Sequence, residues 1–132
     1  MRRARAAIAA ETGSAVAEFV MVGAILTVLT VAVLQLALAL HVRNTVLDAA
    51  SEGARFAALA DNGPADGVVR CRTLIALAIG SDYARDVTVS TEEWRGNPAV
   101  TVTVRTTLPM IGLIGIEGGV EVSGHAVIET LD

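Results

Sequence analysis

The sequence predicts an α+β fold, in which one long N-terminal helix carries a small domain. An apolar run of 22 residues, from Phe19 to Leu40, contains no formal charge. Beyond it, apolar residues recur on one side at helical period as far as about Ala60. From Val87 onward the period changes, because apolar and polar residues alternate as they do in β-strands.

We expect the long helix to cover residues 14–60 and its first half, about residues 19–40, to cross a membrane. At about 1.5 Å per residue, such a run matches a hydrocarbon core of roughly 30 Å. Gln35, within the span, could hydrogen-bond to a neighbouring helix. The arginines ahead of the run outnumber the acids, which places the N-terminus in the cytoplasm by the positive-inside rule. The charged residues concerned are Arg2, Arg3, Arg5 and Glu11.

The second half of the helix is predicted to be amphipathic. Its apolar residues follow one another at alternating steps of four and three, and its charged residues lie off this stripe. We expect the stripe to pack against the chain's own domain, and its small residues to permit close approach of another helix. We also expect Glu52 and Arg55 to pair weakly. The stripe consists of Val42, Val46, Ala49, Gly53, Phe56 and Ala60.

Residues 61–132 are predicted to form the small domain. Breaker residues at 61–64, followed by Asp66 and Gly67, indicate a loop after the long helix. We expect one short helix at 68–79 and a three-stranded antiparallel sheet. The predicted strands are 87–94, 100–108 and about 120–131, and turn residues at 95–98 join the first two into a hairpin.

Glu18 is an unusual residue at the start of an apolar run. A carboxylate at the bilayer centre costs about 2.5–3.5 kcal/mol, so one beside the membrane span requires a partner. Ser14 lies four residues earlier and therefore on the same helix face. A new amino terminus at Ser14, in this subunit or a neighbour, would supply an ammonium group for Glu18.

The segment Gly13-Ser14-Ala15-Val16-Ala17-Glu18-Phe19, followed by the apolar run, resembles the processing site of type IV prepilins. With the continuation to Leu59, including Glu52-Gly53-Ala54-Arg55, it looks most like the TadE-type minor pilins of tight-adherence (Tad) pilus systems. This resemblance implies cleavage between Gly13 and Ser14, with residues 1–13 as a cytoplasmic leader. It also implies that Glu18 and Phe19 set assembly and axial register.

The resemblance implies a structural role in assembling or priming a Tad-type pilus that attaches cells to surfaces. The implied partners are the prepilin peptidase, other pilin subunits, the assembly platform and the membrane. The protein would first reside in the cytoplasmic membrane and then in the pilus at the cell surface. Two alternatives share parts of this pattern: a pseudopilin of type II secretion or DNA uptake, and a single-pass anchored binding protein that keeps residues 1–13.

A secretory signal peptide is a third alternative, because Ala37-Leu38-Ala39 fits the A-x-A cleavage form. However, the apolar run is about twice as long as the usual 7–15-residue apolar region of a signal peptide. The helical pattern also continues past Ala39 without a turn signal. A cut there would divide one continuous helix, so the sequence favours a membrane anchor.

We expect neither catalysis nor a metal or other cofactor. His41 and His125 are far apart and lack a cysteine or carboxylate at ligand spacing, and no G-x-S-x-G motif is present. The glycine spacing at 112, 115 and 118 does not match a dinucleotide fingerprint. The net charge is −4, and loss of residues 1–13 would make it −6, which argues against a nucleic-acid ligand.

Three further features carry smaller predictions. The single cysteine, Cys71, is expected to be buried in the short helix rather than paired between subunits. Trp94, beside the hairpin turn, is expected to cap the small core. The uncharged segment 109–116 either contacts a neighbouring subunit or the membrane, or folds back onto the core. Its large apolar residues are Ile111, Leu113 and Ile114.

Overall fold

The α+β fold is confirmed in a computed structural model, which describes residues 2–108 and 119–129, with side chains from residue 13 onward. Its helices are α1 (Arg2–Ala58), α2 (Pro64–Ala78) and a 3₁₀ turn (Ser81–Ala84). Its strands are β1 (Asp86–Trp94), β2 (Asn97–Thr106) and β3 (Val120–Val127). The chain forms two compact units, Met1–Ala37 and Leu38–Asp132.

Helix α1 begins at Arg2 rather than at residue 14, so helical structure includes the predicted leader. Alanine and arginine, which are strong helix formers, dominate residues 2–10 and explain this extension. The helix ends at Ala58, two residues earlier than expected. The Asn62 side chain donates a 2.9 Å hydrogen bond to the Phe56 carbonyl oxygen, which satisfies one of the carbonyls exposed at the helix end.

Helix α2 begins at Pro64 instead of the predicted residue 68. Proline suits the first turn because its missing N–H needs no partner there. Asp66, which the sequence had placed in a loop, accepts a 2.8 Å hydrogen bond from the Gly63 N–H and closes the helix start. The helix ends before Gly80, whose φ of +109° departs from helical geometry.

The three strands form an antiparallel sheet in the order β1-β2-β3, so the predicted hairpin is confirmed. Its turn is tighter than expected, because only Arg95 and Gly96 separate the paired residues Trp94 and Asn97. Both turn residues have positive φ, 53° and 82°, as a two-residue type I′ turn requires. Strands β2 and β3 pair from Thr106 opposite Val120 onward, and β3 ends at Val127 rather than near residue 131.

The core of the second unit lies between the valine face of the sheet, α2 and the second half of α1. Alternate strand residues face inward, as a half-buried sheet requires. The α1 contribution consists largely of alanines, which let the other elements approach the helix backbone closely. The buried core residues include Val42, Val46, Ala50, Ala54, Cys71, Ile75, Val100, Val102 and Val104.

Candidate functional site

The predicted processing and register site lies on one face of α1. Ser14 and Glu18 are one helical turn apart, and the Ser14 hydroxyl donates a 3.4 Å hydrogen bond to Oε1 of Glu18. Both residues are exposed, and Phe19 beside them exposes 79% of its surface. A positive charge on the Ser14 nitrogen would therefore lie on the same helix face as the Glu18 carboxylate, to which the Ser14 hydroxyl already donates.

The Glu18 carboxylate lies in a stretch of α1 that is exposed throughout. Every residue from 13 to 34 is exposed, and α1 is long and apolar enough there to cross a membrane. The other hydroxyl groups in the stretch bond back to the helix itself. Thr27 donates to the Gly23 carbonyl oxygen and Thr30 to that of Leu26, each at 2.8 Å. Among the described polar groups of this stretch, Glu18 thus carries the charge that calls for an external partner.

Gly13 lies inside the helix rather than at its end. A Cβ atom added there would meet nothing within 4 Å. Packing among the described residues therefore gives no reason for a glycine at this position, and glycine lowers helix stability by about 1 kcal/mol relative to alanine. The residue weakens the helix at the predicted cleavage point.

The predicted packing stripe lies in the second unit, later in the sequence of α1. Val42, Val46, Ala49 and Gly53 are buried, whereas Phe56 is half-buried. Ala60, which the sequence included in the stripe, lies beyond the helix end and is exposed. The stripe faces the chain's own domain, so the same residues are covered within one subunit.

Gly53 is the closest contact between α1 and α2. A Cβ on Gly53 would lie 2.7 Å from the Gly67 carbonyl oxygen and 2.9 Å from Cβ of Cys71. Gly67 is equally crowded, since a Cβ there would lie 2.6 Å from both the Gly53 carbonyl oxygen and Cβ of Ala57. The two helices thus touch backbone to backbone.

Gly124 holds the sheet against α1 and was not singled out from the sequence. A Cβ on this residue would lie 2.5 Å from the carbonyl carbon of Ala50. Its signal in the sequence is a glycine in the middle of an alternating strand, which often marks a close backbone approach. Three glycines, on α1, α2 and β3, therefore allow α2 and the sheet to pack closely against the second half of α1.

Residues 13–55, which include the Glu18 site, match the model of the family described as TadE-like protein. The match confirms the TadE-like resemblance over this segment. It covers about a third of the chain, from the predicted cleavage point to the last turn of α1. No curated protein and no solved structure matches the chain.

The TadE-like segment contains both the Glu18 site and the α1 side of the packing stripe. Glu52, which lies within it, pairs with Arg70 of α2 at 3.6 Å instead of with Arg55. The Arg70 guanidinium also lies 5.9 Å from the centre of the Phe56 ring. Both partners in the ion pair are about half exposed, so the pair contributes little to stability.

Cys71 is buried in α2, as the sequence predicted. Burial raises the pKa of its thiol to about 11, and the nearby positive charge of Arg72 offsets part of this increase. A thiol of this kind is mostly protonated at neutral pH and unreactive. In the folded subunit, its contact with Gly53 leaves no access for a disulfide to a second subunit.

The outer face of the sheet carries a row of polar pairs between β2 and β3. Arg105 bonds to Glu121 at 2.7 Å, which raises the pKa of the guanidinium. The Thr103 and Ser123 hydroxyls are 3.0 Å apart, and the Thr101 hydroxyl lies 2.9 Å from Nδ1 of His125. These matched pairs stabilise the strand register.

Trp94 lies on this outer face and does not cap the core. Its ring stacks on His125 with centroids 5.6 Å apart, and the Arg95 guanidinium lies 4.5 Å from the ring centre. The residue is even-numbered in β1, whereas the core side of that strand carries Val87 and Val89. Alternation therefore directs Trp94 away from the helices.

The remaining predicted residues are the two histidines and three apolar residues of segment 109–116. Within residues 13–108 and 119–129, no group of three metal-ligand side chains comes together. His125 contacts Thr101 and Trp94, and His41 is an exposed residue of α1. The proposed contact residues Ile111, Leu113 and Ile114 lie outside the described residues, so their role stays a prediction.

Proposed function

We propose that this chain is a structural minor pilin, made as a membrane-anchored precursor, cut between Gly13 and Ser14, and used to assemble or prime a Tad-type pilus. One observation carries the proposal. An acid lies at the start of an apolar, exposed stretch of α1, one turn after Ser14, inside the segment that matches the TadE-like family.

The charge distribution supports a cytoplasmic N-terminus. Three arginines and one glutamate lie among residues 1–13, immediately before the apolar stretch. Positive charges beside a span are retained on the cytoplasmic side. The domain formed by α2 and the sheet would then lie outside the cytoplasmic membrane, and a peptidase acting at Gly13 would work near the cytoplasmic face.

Cleavage would change the chemistry of the Glu18 site. Before it, the Ser14 nitrogen is an uncharged amide inside the helix. Afterwards it is an ammonium group, one turn from Glu18, at a helix N-terminus that itself favours a negative charge in its first turn. In a filament, the Glu18 carboxylate would pair with the ammonium of its own or a neighbouring subunit, and this pairing would fix the axial register of α1.

When the exposed apolar face of α1 leaves the lipid and enters a filament, other contacts must replace its contacts with lipid. Neighbouring pilin helices supply it, because van der Waals packing between helices is as favourable as packing against lipid chains. The self-bonded hydroxyls of Thr27 and Thr30 add no unsatisfied polar group to this transfer. Glu18 is the exception, because its carboxylate requires a partner, and this requirement makes the transfer specific.

The deciding experiment is the N-terminal sequence of the protein isolated from membranes with and without the cognate prepilin peptidase. We expect a chain that starts at Ser14 only where the peptidase is present, and none in a Gly13→Ala variant. A matched Gly23→Ala variant should be processed normally, because an added Cβ at Gly23 also meets nothing within 4 Å.

Other N-termini would each reject the proposal. A chain that keeps Arg2 and Arg3 in both strains would be a single-pass anchored protein with a binding domain. A chain that starts after Ala39 would come from a signal peptide. If the chain starts at Ser14, a deletion strain can then show which pilus system the protein serves, because that pilus should be missing.

A further inference from the structure

The second unit has an edge that lies toward its own Leu38 end. Strand β1 begins at this edge, β2 ends there and β3 begins there. An open groove of about 490 Å³ runs along it. We call this surface the basal edge; it consists of Asp82, Arg85, Arg105, Thr106, Thr107 and Gly119.

Two contacts with α1 fix the direction of β3. Gly124 lies against Ala50 and Ser51, and the N–H of Glu129 donates a 3.1 Å hydrogen bond to the Ala58 carbonyl oxygen. Strand β3 and helix α1 therefore run in the same direction. The start of β3 at Val120 must therefore lie toward the Leu38 end of the second unit.

The distances place this edge close to the end of the apolar run. From Gly124 back to Val120 is about 13 Å at about 3.3 Å per strand residue. From Ser51 back to Leu40 is about 16 Å at about 1.5 Å per helix residue. The two contacts with α1 span about 16 Å of extended chain but only about 10 Å of helix, so β3 is inclined to α1. With this inclination the edge ends about 8 Å from the level of Leu40.

Helix α2 runs toward the same end of the second unit. Gly67 and Cys71 lie against Gly53, and farther along α2 Leu74 and Ala78 line a groove with Thr45 and Asp48 of α1. The helix thus runs down α1 as its residue numbers increase. Its last turn carries Leu77, which exposes 82% of its surface.

No stalk separates the domain from the apolar run. Val42 is only 2% exposed because the domain already covers it, whereas Leu40 is 49% exposed. Both residues belong to the same compact unit, which begins at Leu38. The polar headgroup layer of a bilayer is about 5–8 Å thick on each side of the hydrocarbon core.

From this placement we infer that the basal edge lies in the phospholipid headgroup layer and forms a second membrane contact of the unassembled subunit. This inference rests on the membrane anchoring proposed above. Arg85 and Arg105 present side chains that are 78% and 58% exposed at phosphate depth. Leu77 adds an exposed apolar side chain at the same end of the domain.

The chemistry of the edge favours phospholipids in general over anionic lipids in particular. Arg85 bonds to Asp82 at 2.5 Å and Arg105 to Glu121 at 2.7 Å, so each guanidinium already has a carboxylate beside it. The edge therefore has no excess of positive charge to attract an anionic surface. Its contact with lipid comes from its depth, and we expect it to persist in high salt.

Three threonine-to-cysteine variants test the inference in the full-length chain reconstituted in phosphatidylcholine nanodiscs. Thr107→Cys labels the basal edge, Thr91→Cys labels the same sheet about five strand residues farther from it, and Thr30→Cys labels the apolar stretch. All three positions are exposed. The native Cys71 is buried and should take no label, as the unchanged protein will show.

Each variant carries a bimane fluorophore and is quenched in turn by a nitroxide on the lipid headgroup, a nitroxide in the acyl chain, and aqueous iodide. We expect headgroup quenching at Thr107 to exceed that at Thr91 several-fold, with iodide quenching reduced to a similar degree. The Thr107 result should be the same in 0.1 M and 1 M NaCl.

The outcomes separate this inference from the anchoring on which it rests. Acyl-chain quenching at Thr30 combined with equal responses at Thr107 and Thr91 would leave the anchor in place and overturn the basal contact. Loss of acyl-chain quenching at Thr30 would overturn the anchoring, and the basal contact with it. A contact that disappears in 1 M NaCl would contradict the depth argument.

Discussion

Glu18 gives the most direct test of the proposed function, because its carboxylate is exposed and accepts a hydrogen bond from the Ser14 hydroxyl. Gln at this position keeps the size of the side chain and removes the charge. We expect Glu18→Gln to leave cleavage after Gly13 and the melting temperature of the domain unchanged. Incorporation into sheared pili, measured by immunoblotting, should fall at least tenfold.

The matched control is Ser14→Ala, which removes the hydroxyl but keeps the ammonium that cleavage would create. If the ammonium is the partner, this variant should assemble nearly as well as the unchanged protein. Equal losses in both variants would show that the hydroxyl contact matters instead. Normal assembly of Glu18→Gln would reject a register role for the carboxylate.

Cys71 permits a second prediction at the residue scale. Its pKa is raised to about 11 from an ordinary value of 9.0, so at pH 8 the thiolate fraction is roughly a hundredfold smaller than in an exposed cysteine. We expect negligible reaction with a thiol reagent in the native protein and rapid reaction after denaturation. Because the folded state retains the proton longer than the unfolded state, stability should also fall as the pH rises from about 9 to 11. Fast native labelling at pH 8 would contradict the burial.

Individual residues differed in how far the sequence could predict them. Gly13, Ser14 and Glu18 could be proposed as a site from the sequence because their pattern is local: an acid and a glycine at fixed spacing before an apolar run. Gly67 and Gly124 were not, because each is needed by a contact with α1 that is distant in the sequence. Trp94 was assigned to the wrong face, since nearness to a turn does not decide which way an edge residue points.

The contact between α1 and α2 gives a prediction at the element scale. Gly53→Ala would place a methyl group 2.7 Å from a backbone carbonyl oxygen, which cannot rotate away. We expect a loss of about 1–3 kcal/mol in the free energy of unfolding. For a domain of this size that corresponds to a fall in melting temperature of about 4–8 °C per kcal/mol. Circular dichroism in detergent measures it.

The control is Gly23→Ala, also in α1, where an added Cβ meets nothing within 4 Å. This substitution should leave the melting temperature of the domain unchanged or slightly raise the helicity. A similar loss in both variants would mean that glycine is needed for some property of α1 other than its contact with α2.

The hairpin turn provides an element-scale test in which no clash is involved. Gly96 has a φ of +82°, yet an added Cβ would meet nothing within 4 Å. Gly96→Ala should therefore cost about 1–2 kcal/mol through backbone strain alone. Gly96→Asn is the matched control, since asparagine adopts a positive φ far more readily than alanine. Equal effects on the melting temperature would contradict the type I′ turn.

The sequence predicted the elements better than their ends. Alternation gave β1 and β2 to within three residues, because one face of the sheet is buried and the other is polar. The start of α2 was placed four residues too late because Pro64 and Asp66 occur in loops as well as in first turns of helices. Only the hydrogen bond from Gly63 to Asp66 distinguishes the two uses.

At the scale of the whole molecule, the boundary between the two compact units falls inside α1, after Ala37. The helix thus contributes an exposed apolar part to one unit and a large share of the core to the other. A boundary at the end of α1, as the sequence predicted for the small domain, would remove that share. The α1 residues in the core are Val42, Val46, Ala49, Ala50, Ala54 and Ala57.

Two truncations test where the folding unit begins. A fragment of residues 38–132 keeps every core residue, and we expect it to unfold cooperatively in water without detergent. A fragment of residues 59–132 exposes the valine face of the sheet and the buried sides of Cys71 and Ile75. Since Phe and Trp contribute almost nothing to so small a core, the loss of six helix residues cannot be offset by repacking. We therefore expect the shorter fragment to show neither a cooperative transition nor dispersed amide resonances.

If the shorter fragment folded alone, an independent domain would be attached to α1, and Gly53 and Gly124 would not set the position of that domain on the helix. If only the longer fragment folds, extraction of the subunit from a membrane must move the domain and the upper part of α1 as one body.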